Sequence, residues 1–133
     1  MARLAFIVAA LMLATIGLSV ASVPNLVGNW TGSFESYANG TGYVNAPIGA
    51  LTMTISEQKG RLFNGNLSSN FSSIKRTKAF SGIIALDNKT LYVAEYDMGY
   101  DIGIILSNDI IELDYLTDGA NGETSIDTFH RAK

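Results

Sequence analysis

The chain has 133 residues, no cysteine and a formal net charge of −3, with 12 acidic residues against 9 basic ones. This acidity argues against a nucleic-acid partner, because phosphate binding requires a basic surface, and against electrostatic attachment to anionic lipid. The lack of cysteine excludes disulfides, zinc–thiolate and iron–sulfur sites and a cysteine nucleophile. The length suits a single domain.

The first 21 residues have the pattern of a helical signal peptide for export. Arg3 precedes the apolar run Leu4–Val20, and the small residues Ser19 and Ala21 lie at positions −3 and −1 of a cleavage site after Ala21. The alternative is an uncleaved N-terminal anchor, since the apolar run is at the short limit of the roughly 17–25 residues that span a bilayer. Both alternatives predict a secreted or cell-surface domain.

Beyond the leader, strand-like segments recur about every 8–12 residues, which is the spacing of a β-sandwich or a β-barrel. The clearest is Ala50–Glu57, where Leu51, Met53 and Ile55 alternate with polar residues. Turn-forming Gly, Asn and Asp residues separate most of the segments. The predicted strands in chain order are Gly28–Ser36, Ala50–Glu57, Arg61–Ser68, Ala79–Leu86, Leu91–Asp97, Tyr100–Ser107, Ile110–Thr117 and Glu123–Arg131.

Eight strands joined mostly by short turns predict an all-β domain, an eight-stranded antiparallel up-and-down β-barrel over residues 28–133, with residues 22–27 as a linker. Closure removes the exposed edges of an open sheet, and such a barrel is either filled with side chains or holds one small ligand. The alternative is a two-sheet β-sandwich. Three segments are predicted to be loops: the Gly- and Asn-rich stretch around 39–42, the polar stretch Ser69–Lys75 and Asp118–Gly122.

Residues 26–34 (LVGNWTGSF) resemble the first strand of the calycin barrels, the lipocalin and avidin-like families, which share a Gly-x-Trp there, here Gly28-Asn29-Trp30. The run 126–130 (IDTFH) resembles the last strand of streptavidin-type proteins. The segments ISEQKGRLFNG, FSGII and LYVAEYD are similar to small secreted proteins of avidin-like shape. The resemblance implies a calycin-type barrel in which Arg131 packs over Trp30. It does not imply biotin, because avidin-like sites carry several tryptophans and this chain has one.

Aromatic residues predict a ligand cavity inside the barrel. Because side chains alternate along a strand, the aromatic residues of each strand share one face. If these faces point inward, they form an apolar wall with a few polar groups, which is typical of small-molecule sites. The alternatives are that Trp30 is a structural plug and that Leu91 and Val93 form the inward face of the fifth strand. The predicted ligand-binding residues are Trp30 as the floor and Phe34, Tyr92, Tyr96 and Tyr115 as the wall.

The chain shows no pattern of a catalytic or metal site, so we predict neither an enzyme nor a cofactor. The single histidine, His130, lacks a nucleophile motif. Glu95 and Glu112 lie on separate strands and could face each other, but a barrel of this size lacks the long loops that usually form a sugar-binding cleft. The basic group Lys75–Lys78 is predicted to be a solvated loop or a contact patch for an anionic partner. A solvated acidic face, or else a partial calcium site, is predicted from Glu95, Asp97, Asp101, Asp109, Glu112, Asp114, Asp118, Glu123 and Asp127.

The combined prediction is an exported, non-enzymatic barrel that binds a small apolar or aromatic ligand. The alternative is a protein-interaction or inhibitor module of the cell envelope whose barrel is filled with side chains. The predicted partner is therefore a small molecule or an extracellular protein. The sequence leaves open whether the protein forms a homo-oligomer. In an exported protein, Asn-x-Ser/Thr sequons are candidate glycosylation sites, and five follow the leader, at Asn29, Asn39, Asn66, Asn70 and Asn88.

Overall fold

The structure is a computed structural model that describes residues 21–71 and 73–133. The predicted signal peptide or anchor lies outside the described residues, apart from Ala21. Within the described part of the chain, no helix is long and apolar enough to cross a membrane.

Eight antiparallel strands form one closed barrel. Each strand pairs with the next along the chain, and β1 pairs with β8 to close the ring. This confirms the predicted all-β, up-and-down antiparallel barrel, and the two-sheet alternative is wrong. The strands are β1 Gly28–Ala38, β2 Gly42–Lys59, β3 Leu62–Phe71, β4 Ile74–Ile84, β5 Thr90–Glu95, β6 Tyr100–Ser107, β7 Ile110–Thr117 and β8 Glu123–Arg131.

The predicted loop Asp118–Gly122 is confirmed between β7 and β8, whereas the other two predicted loops are hairpins. Strand β2 begins at Gly42, so only a tight turn precedes it, in which the Thr41 N–H donates to the Ala38 carbonyl at 3.1 Å. The predicted loop Ser69–Lys75 instead contains the paired ends of β3 and β4, with Ser69 opposite Arg76. The prediction was wrong because a ladder satisfies the backbone of polar residues as well as that of apolar ones, and polarity alone indicated a loop.

The closed end of the barrel has an apolar core around Trp30, which is 1% exposed. Its indole N–H donates to the Leu26 carbonyl at 3.1 Å, and Leu26 itself is buried, so residues just before β1 seal this end. Large rings fit because Gly32 and Gly82 face inward, where a Cβ atom would overlap Phe129 and Phe63 respectively. The remaining buried core residues include Leu51, Met53, Ile55, Phe80, Ile84, Leu91, Val93, Ile111 and Leu113.

Arg131 covers Trp30 from outside this end, as the calycin resemblance implies. Its guanidinium carbon lies 4.2 Å from the centroid of the indole. The same group donates to the carbonyls of Val27 at 3.0 Å, Asn25 at 2.9 Å and Asn108 at 3.1 Å. One planar cation therefore ties the segment before β1 to the β6–β7 turn.

We expect Arg131→Lys to lower the free energy of unfolding by about 1–2 kcal/mol, because an ammonium group cannot both stack on the indole and reach three carbonyls. Urea unfolding followed by the fluorescence of Trp30 measures this change. Arg76→Lys is the matched control, since Arg76 is exposed, and its effect is expected to stay within about 0.5 kcal/mol. Equal effects of the two changes contradict the role assigned to Arg131.

Candidate functional site

The open end of the barrel, away from Trp30, contains a cavity of about 160 Å³. Inward positions change here from apolar to polar along the same strands, as on β5, where Glu95 follows Val93 at the two-residue period. The apolar part of the wall is Phe34, Leu51 and Leu67. The polar part is Ser69, Arg76, Lys78, Glu95, Tyr115, Glu123, Ser125 and Asp127.

Lys78 is the centre of the polar wall. Its Nζ donates to Glu95 Oε2 at 2.5 Å, to the Met98 carbonyl at 3.1 Å and to the Tyr115 hydroxyl at 3.2 Å. The Nζ also lies 5.0 Å from the centroid of the Tyr115 ring. The Glu95 side chain is 2% exposed and that of Lys78 is 24% exposed. Acceptors from β5, β7 and the β5–β6 turn therefore fix the ammonium group beside the cavity.

The charges of this group depend on burial and on its neighbours. Burial pulls the pKa of Lys78 down, but the bonds to Glu95 and Tyr115 outweigh it, so that the pKa is raised and Lys78 stays cationic. Burial raises the pKa of Glu95 more than Lys78 lowers it, and the charges of Asp97 and Glu123 add to the rise. Glu95 therefore depends on Lys78 to remain ionised in this position.

Two more carboxyl groups are buried at this end. Burial, with the charges of Glu95 and Asp127, raises the pKa of Asp101 to about 8, and burial raises the pKa of Asp127 to about 7 although Ser125 donates to it. Asp101 is 2% exposed, and among the described residues neither of its carboxylate oxygens has a hydrogen-bond partner. Asp101 is therefore mainly protonated at neutral pH and lies inside the barrel, close enough to Glu95, Asp127 and Lys78 for their charges to act on it.

The structure brings together only part of the predicted ligand wall. Phe34 and Tyr115 line the cavity, and Trp30 lies in the core at the closed end. The inward placement of Tyr92 and Tyr96 is wrong, because they are 50% and 67% exposed on the outer surface. The alternative face of the fifth strand, with Leu91 and Val93, is the buried one. Both faces of this strand carry large side chains, so its pattern could not indicate which of them faces inward.

The barrel interior also contains four residues that were not predicted there, Lys78, Glu95, Asp101 and Asp127. Lys78 was assigned to a loop, and the three acids to a solvated acidic face, which is wrong for these three because each is at most 8% exposed. A usable signal was present: Leu91, Val93 and Glu95 continue one two-residue period, as do Phe129 and Asp127. The polarity of these side chains concealed that period.

The other predicted residues lie at the surface. Lys75, Arg76 and His130 are exposed, and so are four of the sequon asparagines, while Asn88 is half-buried. Glycosylation at Asn29, Asn39, Asn66, Asn70 or Asn88 stays a prediction. Within residues 21–71 and 73–133, no group of three or more His, Asp and Glu side chains is arranged to hold a metal ion.

No protein-family model matches the chain, and no curated protein matches it. Among solved structures, it is similar to the S-type phycobiliprotein lyase CPES from Guillardia theta, with 13% identity, 81% of this chain and 89% of that chain covered, and a TM-score of 0.48. The prediction that the chain is not an enzyme is contradicted by this match, because the matched protein is named a lyase. At this similarity the match assigns neither a reaction nor a ligand to the present chain.

Proposed function

We propose that the protein is an exported β-barrel of calycin type that binds a small molecule in the cavity at its open end. The observation that supports this is a space of about 160 Å³ between Phe34 and the Lys78–Glu95–Tyr115 cluster. Bulk water occupies about 30 Å³ per molecule, so the space equals about five waters. The proposal of export rests on the leader in the sequence, Arg3 with Leu4–Val20.

The composition of the wall suggests a ligand with two different ends. An apolar or aromatic part packs on Phe34, Leu51 and Leu67. A polar head reaches towards Ser69 and Arg76, because the three N–H groups of Lys78 already donate to acceptors of the protein. A wholly apolar ligand is disfavoured, because it displaces water from charged groups without replacing those hydrogen bonds. The aromatic residues alone predicted an apolar or aromatic ligand. The ligand proposed here also carries a polar group at one end.

Native mass spectrometry of residues 22–133, purified gently from the natural host, tests this proposal. We expect an added mass that disappears on denaturation. Phe34→Ala is expected to reduce the retained ligand about tenfold or more, because it removes about 1.5–3 kcal/mol of apolar contact. Ile48→Ala is the matched control, since Ile48 lies on the outer surface of β2 and is 62% exposed.

Equal ligand retention in these two variants contradicts binding in the cavity and places the ligand elsewhere. A mass that matches the bare chain, or a chain that carries only covalent sugar, contradicts the small-molecule proposal. In that case the second candidate applies, a protein-interaction module that acts through its outer surface. The observation that favours this candidate is the set of large side chains exposed on the outside of β5 and β6.

A further inference from the structure

The outward face of strand β6 is apolar from Tyr100 to Leu106. Its four outward side chains are Tyr100, Ile102, Ile104 and Leu106, which are 53%, 44%, 41% and 54% exposed. The inward face of the strand has the buried Asp101. A strand of a barrel in water ordinarily shows the reverse arrangement, with polar residues outside and apolar residues inside.

The apolar surface continues from β6 across three neighbouring strands. Ile102 pairs with Tyr92 on β5, Tyr92 with Ile83 on β4, and Ile83 with Leu62 on β3. These four residues form one direct row, and Tyr96 stands beside it at 67% exposure. We refer to this row, with Tyr96 and the outward residues of β6, as the β3–β6 outer face.

The β3–β6 outer face has a larger apolar area than the surface patches of a typical monomer. An aromatic side chain has about 150–250 Å² of surface, so that a half-exposed tyrosine presents roughly 100 Å². The eight side chains, of which five are Ile or Leu, therefore present at most roughly 800 Å². The largest apolar patch of a typical monomer is about 300–600 Å². A stable protein interface buries about 800 Å² on each partner. The face therefore has the area that one side of a stable dimer needs.

The charges of the molecule favour a second copy as the partner. The outward positions of β5 and β6 carry no acidic or basic residue, whereas the neighbouring β7 presents Glu112 and Asp114. Two copies of an acidic chain repel each other through most of their surfaces. In a two-fold dimer each patch meets itself. The eight side chains of this face are uncharged, and the two charged residues that border it in the same groove, Glu57 and Lys59, are paired with each other.

The closed barrel determines how two copies can meet. Every strand is paired on both sides, so that association by adding a strand at a sheet edge is not open to the described domain. Contact must then be made by side chains, face against face, which is the packing of two sheets in a sandwich. We propose that the β3–β6 outer face binds the same face of a second copy to form a symmetric dimer.

Sedimentation velocity of residues 22–133 over a wide range of concentration tests the proposal. We expect a dimer, and we expect Ile102→Asp to weaken self-association about 100-fold or more, because it places two like charges against each other across the interface. Thr52→Asp is the matched control, since Thr52 is exposed on β2, four strands away around the barrel. It is expected to leave the dimer unchanged.

Crosslinking gives a second readout that does not depend on weakening the protein. The chain has no cysteine, so that Ile102→Cys introduces a single thiol at the centre of the face. A short bismaleimide is expected to join Ile102→Cys chains into dimers and to leave Thr52→Cys chains as monomers. A wild-type monomer at every concentration overturns the proposal, whatever else binds the face. A dimer that persists in Ile102→Asp and crosslinks through Thr52→Cys also overturns it.

Discussion

Lys78→Met is expected to lower the free energy of unfolding by about 3–5 kcal/mol at neutral pH, which is the usual cost of leaving one partner of a buried ion pair without the other. Glu95 is the partner left behind, with its side chain 2% exposed. It must then be either ionised without compensation or protonated. The loss is expected to be smaller at about pH 4, because a glutamic acid titrates near pH 4.3 in the unfolded chain and holding Glu95 protonated then costs little. Urea unfolding at both pH values measures it.

The exposed ion pair of the same barrel is the matched control. Lys59 and Glu57 lie 3.1 Å apart with side chains 83% and 53% exposed, so that Lys59→Met is expected to cost at most about 1 kcal/mol. The double variant Lys78→Met with Glu95→Leu is expected to recover most of the loss, because no charge remains buried. If Lys78→Met lowers the free energy of unfolding no more than Lys59→Met does, the Lys78–Glu95 pair does not behave as a buried ion pair.

Stability is expected to fall as the pH rises from about 5 to 8, because of Asp101 and Asp127. Burial raises the pKa of Asp101 to about 8 and that of Asp127 to about 7, whereas a carboxyl group in the unfolded chain titrates near pH 3.9. Between these values the folded protein holds protons that the unfolded chain has released. Folding therefore takes up protons, and the free energy of unfolding falls by up to about 1.4 kcal/mol per pH unit for each of them.

Asp101→Asn is expected to make this fall in stability with pH less steep, because only Asp127 then contributes to it. The variant is also expected to be more stable than the wild type by about 1–3 kcal/mol at pH 8, because an amide in the barrel interior carries no proton that is lost at that pH. Thermal or urea unfolding from pH 5 to pH 9 measures both effects. Asp118→Asn, an exposed position in the β7–β8 loop, is the control and is expected to keep the wild-type slope. If the free energy of unfolding of the wild type stays constant or rises between pH 5 and pH 8, Asp101 and Asp127 are not buried as protonated carboxylic acids.

The positions of the strands could be predicted because each segment carries its own signal. Leu51, Met53 and Ile55 alternate with exposed residues in the sequence and are buried in the structure, and turn residues mark most strand ends. The hairpin that joins β3 and β4 could not be predicted, because its paired residues, such as Ser69 and Arg76, are polar on both strands. Their pairing is long-range information that composition does not contain.

The candidate site was predictable only where polarity and position agree. Phe34 and Tyr115 were assigned correctly to the interior, because they share a face with the buried Trp30 and Leu113. Tyr92 and Tyr96 were not, since Leu91 and Val93 on the opposite face are equally apolar. A shift of one residue in phase exchanges the two faces completely, and only the neighbouring strands determine which phase is buried.

An all-β chain of eight short strands could be predicted from the sequence, because alternation and turn chemistry are local properties that each segment carries. The face of each strand that is enclosed depends on the tertiary structure, because closure of the barrel is a property of all eight strands together. The tertiary structure also places Lys78 against Glu95 across β4 and β5, and Asp101 inside while Ile102 stays outside. A buried charge and an exposed apolar residue both depend on such long-range pairing, and the sequence read segment by segment predicted neither.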